Sequence, residues 1–270
     1  MSSVAGASIA SQLRVTLVQT SLHWHDAAAN HVQFERLLGN LQGTTDLIVL
    51  PEMFTTGFTM AAEQVAEPPN GPSTDWMRRI ADRTGAVVTG SVVTRDGDAY
   101  FNRLIWMQPD GRYRTYDKRH LFRMGREHEH YSPGSEQLQV ALKGWNIRPL
   151  ICYDLRFPVW SRNRIGTPQG YDLLVYVANW PERRRYPWTT LLRARAIENL
   201  SYCIGVNRVG PDATGVNYTG DSAAIDFLGQ PLTEPSEAEF VATVSLDYAA
   251  LQAFRGKFAA YLDADEFELR

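Results

Sequence analysis

Three reactive side chains stand where apolar or aromatic runs of the chain come to an end. Glu52 follows Asp46-Leu47-Ile48-Val49-Leu50-Pro51, Lys118 follows Tyr113 to Asp117, and Cys152 follows Leu150-Ile151. A thiol at the turn that leaves a strand projects from a sheet edge, with backbone N–H groups close enough to serve an oxyanion. A carboxylate can move the thiol's proton, and an ammonium can hold the charge that develops on the attacked oxygen. Taken singly, each residue has an ordinary explanation. A free cysteine is usually a small buried hydrophobe, as Cys203 in "SYCIGV" reads, and a lysine at a strand terminus is usually solvated. An acid, an ammonium and a thiol at three separate strand ends together point to covalent catalysis by the sulfur.

The elements that must position these groups alternate between the two hydrophobic periods. "RVTLVQT" (14–20) reads as a strand. Asp26 caps a helix whose Phe34, Leu37, Leu38 and Leu41 share a face. "DLIVL" is a strand, a helix runs near 73–84 with Ser73 as its cap and Gly85 as its stop, and "AVVTGSVVTRDG" is again a strand. "FNRLIWMQPDGRYRTYDK" reads as a hairpin around Pro109-Asp110-Gly111. "LQVAL", "IRPLIC" and "DLLVYVANW" give three more strands. A helix over 186–200 places Leu191, Ala194 and Ile197 on one face, with Leu192 and Ala196 beside it. "SYCIGVNRV", "SAAIDFLG" and "EFVATVSL" supply further strands, and "YAALQAFRGKF" a terminal helix. Alternating helices and strands indicate α/β, and the hairpins exclude a purely parallel sheet. Two mixed sheets covered by helices suit this order.

Bulk properties narrow the partners. The chain has 270 residues, 44% hydrophobic and 21% charged, which is the balance of a globular protein with ample core. A formal charge of −3 offers no general attraction to nucleic acid or to an anionic membrane. Two cysteines make no disulfide framework. No apolar run reaches the ~18 residues of a membrane span, and "MSSVAGASIASQ" lacks the pattern of a secretory signal. The expectation is a cytoplasmic enzyme, with residues 1–12 a flexible tail and 13–270 a single domain.

The sequence resembles the nitrilase, or carbon–nitrogen hydrolase, superfamily. Glu52 in "LPEMFTTGF", Lys118 in "DKRHLF" and Cys152 in "CYDLRFP" match its Glu-Lys-Cys constellation, and the likeness extends from "VTLVQT" to "FRGKFAAYLDADEF". "ANWP" and "RARAIENLSYCIGVNR" look most like the omega-amidase branch. The resemblance implies a four-layer α-β-β-α sandwich that dimerises through helices, and a cofactor-free amide hydrolase. Its substrates would be small 2-oxo dicarboxylic acid monoamides such as 2-oxoglutaramate and 2-oxosuccinamate. It also implies a second glutamate between lysine and cysteine: of Glu127 and Glu129 in "REHEHYSPG", the branch pattern favours Glu127. Glu52 would serve as base, then acid, then base. Lys118 and the backbone N–H of Tyr153 would stabilise the oxyanion, and Glu127 would orient Lys118 or the substrate amide. Enzymes of this fold that act on carbamoyl compounds, nitriles or deaminated peptide amides share the same residues. A non-catalytic binding module would be expected to lack one of them.

Other clusters leave alternatives open. His128 and His130 would share a strand face and suggest a metal, but no third ligand motif accompanies them, so no metal is expected. "ERRRY" (182–186) is either a solvated loop or a clamp for a substrate carboxylate. Arg183 is the candidate, with Arg184 and Arg185 equally placed by sequence. Trp180 lines a pocket or forms a turn, and Phe58 and Phe54 are pocket wall or core. Asp154 and Arg156 read as braces of the cysteine turn, Arg193 and Arg195 as helix-surface pairs.

Overall fold

The computed structural model describes residues 9–269. Along the chain run β1 (Gln12–Gln19), α1 (Ala27–Leu37), β2 (Leu47–Val49), α2 (Ala62–Val65), α3 (Pro72–Thr84), β3 (Val87–Asp96), β4 (Ala99–Met107) and β5 (Tyr113–Asp117). Then come β6 (Val140–Leu142), β7 (Trp145–Ile151), α4 (Pro158–Ser161), β8 (Leu173–Val177), α5 (Arg185–Asn199) and β9 (Tyr202–Val206). The short β10 (Val209–Pro211), β11 (Asn217–Thr219) and β12 (Ala223–Ile225) precede β13 (Phe240–Asp247) and α6 (Tyr248–Lys257).

The strands form two mixed sheets and a separate hairpin. One sheet has the order β13-β1-β2-β3-β4-β5, the other β12-β9-β8-β7-β6, and β10 pairs with β11. In the first sheet β1, β2 and β3 are parallel and the outer strands antiparallel. In the second, β7, β8 and β9 are parallel and both edges antiparallel.

Period-two alternation divides the first sheet between two cores. Leu13, Val15, Leu47, Val49 and Leu104 turn towards Ile147, Leu173, Val175 and Ile204 of the second sheet. Ile48, Val88, Ile105 and Met107 turn the other way, onto Phe34 and Leu38 near α1 and Trp76, Met77 and Ile80 of α3. Strands β8 and β9 are buried along their whole length, which explains their unbroken apolar runs. Helix α5 covers them with Trp188, Leu192 and Ala196. Gly205 makes this contact possible, because a Cβ there would come within 2.6 Å of Leu192 and 2.7 Å of Trp188. The result is the α-β-β-α sandwich.

Some local expectations need correction. The expected tail is shorter on the described side: Ala10 accepts from the Trp145 indole at 3.0 Å and donates to the Lys143 carbonyl at 2.9 Å, and Gln12 opens β1. Residues 1–8 lie outside the described residues. Helix α3 is capped by Gly71 with Pro72 in its first turn, while Ser73 is held by Glu67. The α5 face Leu191-Ala194-Ile197 forms as expected and runs from the core to solvent, with Leu191 half-buried against the core and Ile197 51% exposed. Arg195 is no surface residue; it is buried and donates to the Leu155 carbonyl at 2.6 Å, tying the helix to the cysteine turn.

Candidate active site

Three strands end at one place. Glu52 stands three residues beyond β2, Lys118 directly after β5, and Cys152 directly after β7. Both sheets therefore contribute, the acid and the ammonium from one and the thiol from the other. The chain turns sharply at two of these ends: Cys152 itself has φ 43°, and Met53, next to Glu52, has φ 42°. A non-glycine residue in the left-handed region costs on the order of 1–3 kcal/mol and persists only where its surroundings impose it. At the cysteine, Asp154 imposes it. Its carboxylate accepts from the Ile151 N–H at 3.1 Å, the Tyr116 hydroxyl at 2.7 Å and the His120 N–H at 3.0 Å. Gly90 lets the glutamate loop cross the sheet, since a Cβ there would come within 2.9 Å of Leu50.

The floor of the site is fully buried. Lys118 Nζ donates to Glu52 Oε1 at 2.8 Å and to the two oxygens of Glu127 at 3.0 and 2.9 Å, and all three side chains have 0% exposure. Asn102 on β4 donates from one amide group to both acids, at 2.7 Å to Glu52 and 3.1 Å to Glu127. The Phe122 N–H completes Glu127 at 2.6 Å, and the Asn179 N–H completes Glu52 at 2.8 Å. Glu129 turns away to Arg126 on the surface.

Burial would strip the ammonium of its charge, but Glu127 and then Glu52 more than offset that and hold Lys118 above its ordinary value. Burial pushes Glu127 up and the charge of Glu52 adds to this, against the pull of Lys118. Burial also drives the Cys152 thiol well above its ordinary value. The charge of Glu52 raises it further while Lys118 lowers it, and the thiol itself donates to the Asn179 carbonyl at 3.9 Å.

Comparison with known proteins agrees with this geometry. A family model described as carbon-nitrogen hydrolase matches residues 14–256. The chain belongs to the carbon–nitrogen hydrolase family. Within it the sequence is 50% identical to omega-amidase YafV of Yersinia enterocolitica, over 96% of this chain and 99% of that protein. It is 31% identical to 2-oxoglutaramate amidase of Bacillus subtilis, over 86% and 90% of the two chains. A CN-hydrolase superfamily protein from Xanthomonas campestris, solved with an arsenic adduct in its active site, superposes with a TM-score of 0.94. The two chains are 52% identical over 96% of this one and 99% of that one. These likenesses place the hydrolase in the omega-amidase-like branch.

Above the floor lies a cavity of 440 Å³ whose walls include Phe58, Phe122, Tyr153, Trp180 and Tyr218. Phe58 thus lines the cavity, whereas Phe54 is core, packed edge-on against Phe34 at 5.6 Å. Lys118 Nζ also lies 5.2 Å from the centre of the Phe58 ring. Arg156 is not a brace of the turn. It lines the cavity with its guanidinium 5.0 Å from the Trp180 ring. Of the loop arginines, Arg183 is exposed at the rim and Arg184 half-buried in the wall, while Arg185 is engaged with Asp221 and Glu237. His128 and His130 sit in or beside a 3-10 turn rather than a strand and face solvent. Asn102 and Asn179 were missed by sequence reasoning. "FNRL" and "VANW" carry no spacing that singles out an amide, and only the fold brings both beside Glu52.

Proposed function

We propose that the protein hydrolyses the terminal amide of small 2-oxo dicarboxylic acid monoamides, 2-oxoglutaramate and 2-oxosuccinamate, to dicarboxylate and ammonia. The observation that carries this reading is an ammonium buried between two carboxylates beside a thiol, on the floor of one cavity. As Cys152 Sγ attacks the amide carbon, its proton passes to Glu52. The carbonyl oxygen takes up the negative charge between Lys118 and the Tyr153 N–H. Removing one such donor costs roughly 3–4 kcal/mol of transition-state stabilisation. Glu52 then gives its proton to the departing nitrogen, the C–N bond breaks, and ammonia leaves a thioester on Cys152. Water enters, Glu52 takes its proton as the oxygen adds to the thioester carbon, the C–S bond breaks, and Glu52 returns the proton to the sulfur as the carboxylate product departs. Glu127 keeps Lys118 charged and aimed, and Phe58 and Trp180 wall the acyl chain. The arginine-bearing rim, from Arg183 inward, suits a substrate carrying a carboxylate.

A reducing cytoplasm suits a nucleophilic thiol. Exposed Ile197, Phe258 and Leu262, at 51%, 56% and 74%, supply apolar surface for a homodimer, whose mass sedimentation would give. The deciding experiment is ammonia release from 2-oxoglutaramate, glutamine, N-carbamoyl amino acids and simple nitriles, with mass spectrometry of the quenched enzyme. The oxo-amide should be turned over fastest and leave an acyl adduct on Cys152, and Cys152→Ala should stay folded without turnover. Faster turnover of a carbamoyl compound would refute the substrate class.

A further inference from the structure

We infer that Arg184, assisted by Arg156, is the specificity-determining cation of the pocket and takes the carboxylate that the substrate carries at the end remote from its amide. The inference rests on the omega-amidase reading and assigns the residue that reading leaves open. Arg184 Nη1 is buried with no hydrogen-bond partner among the described residues. Nη2 meets only the sulfur of Met124, a weak acceptor, and the guanidinium lies 5.1 Å from the centre of the Phe122 ring. Among the described residues neither Arg184 nor Arg156 has a carboxylate partner, although Arg185, one residue on, has two.

The one acid lining this cavity among the described residues does not answer them. Asp212 is engaged by Thr214, by the Val216 N–H and by the Tyr218 hydroxyl. An arginine cannot relieve burial by losing its proton at ordinary pH. Burial and the charges of Arg183 and Arg156 weaken its hold on the proton, and the nucleophile Cys152 lies within reach of its field. The position is built, not incidental: the Trp180 indole donates to the Arg184 carbonyl at 2.7 Å, and the Arg184 N–H donates to Pro181 at 2.9 Å. Arg184 also stands at the start of α5, where the helix adds partial positive charge. A planar carboxylate meeting this fork would satisfy the orphaned N–H groups with paired bonds. An amide ending in a methyl group would leave them unpaired. Arg183, which the sequence placed no better than Arg184, is exposed and discriminates less.

The test compares kcat/KM for 2-oxoglutaramate and for 4-oxopentanamide, in which a methyl group replaces the carboxylate. Wild type should prefer the charged amide. Arg184→Gln should lower that preference on the order of 10- to 100-fold, mainly through KM. Arg184→Lys should restore part of it, and Arg156→Gln should shift it less in the same direction. Arg185→Gln, whose ion pairs point elsewhere, should leave it unmoved. Selective wild type with the preference unchanged in Arg184→Gln, or equal loss on both substrates, would overturn the clamp alone. Wild type that prefers neither substrate would overturn the omega-amidase reading with it. If Arg184→Gln did not fold, Arg156→Gln and Arg184→Lys would decide, and an unmoved preference in both would overturn the inference.

Discussion

The floor and the mouth of the pocket each hold a cation removed from water, and they treat it in opposite ways. At the floor Lys118 is fully buried and ringed by Glu52 and Glu127, with Asn102 tying the two acids together. At the mouth Arg184 is half-buried and meets aromatic carbon, a thioether and other arginines. His31 shows a third outcome. It is partly buried, stacked on Trp76 with ring centres 5.0 Å apart, and burial followed by the charge of Arg79 lowers its pKa to about 4. Burial of a base is answered here by neighbouring acids at Lys118, by loss of the proton at His31 and by carbonyl oxygens at Arg148 and Arg208, whereas Arg184 has none of these on its guanidinium among the described residues. The contrast separates machinery that is complete in the fold from a cation that awaits a ligand's charge.

The most direct way to break the contrast is to remove the floor cation. Lys118→Ala leaves Glu52 and Glu127 facing one another in a buried site, so kcat should fall by about 10³-fold or more and stability should drop. Single-turnover formation of the thioester measures this, and a change confined to KM would move Lys118 to a binding role. Asn102→Leu is the milder test, because it keeps all three charges but removes the amide that spans both acids. It should lower kcat on the order of 10- to 100-fold with little change in KM and should shift the acid limb of the kcat profile. A variant with wild-type kcat would show that Lys118 alone aligns the acids. The smallest effect lies at His31, whose folded-state pKa is about 4 against an ordinary 6.5. The unfolded chain binds the extra proton between those values, so this contribution to stability is complete above pH 6.5 and is lost as pH falls towards 4. With solvent screening it amounts to on the order of 1 kcal/mol. Denaturation midpoints at pH 7 and pH 4.5 should lie closer together in His31→Gln than in wild type; equal gaps would refute the assignment.

Much of the architecture was legible because it is local. The cap at Asp26, the αL stop at Gly85 and the hairpin through Gly111 are set by a few neighbouring residues, and all three occur. The apolar runs of β7, β8 and β9 also read as strands, and the structure buries β8 and β9 on both faces. The hairpin of β10 and β11 escaped notice because its strands are three residues each and carry no clear alternation. The helix face Leu191-Ala194-Ile197 was read correctly as a face, but periodicity does not say which of two apolar sides meets the sheet. Arg195 shows the same limit in reverse: a charged residue on a helix looks superficial until its bond to the Leu155 carbonyl is seen.

By itself the sequence determined where the chain turns out of its strands, and so where Glu52, Lys118 and Cys152 could stand clear of the backbone ladder. It also determined the charge inventory from which any site had to be made. Only the tertiary structure decided that Glu127 reaches Lys118 while Glu129 pairs with Arg126, that Asn102 bridges the acids, and that Arg185 takes two carboxylates while Arg184 keeps a buried N–H group without a partner among the described residues. The reason is physical. Turns and caps depend on dihedral preferences within a few residues, whereas desolvation and charge pairing depend on which distant segments the packing of two sheets brings within 3 Å or so.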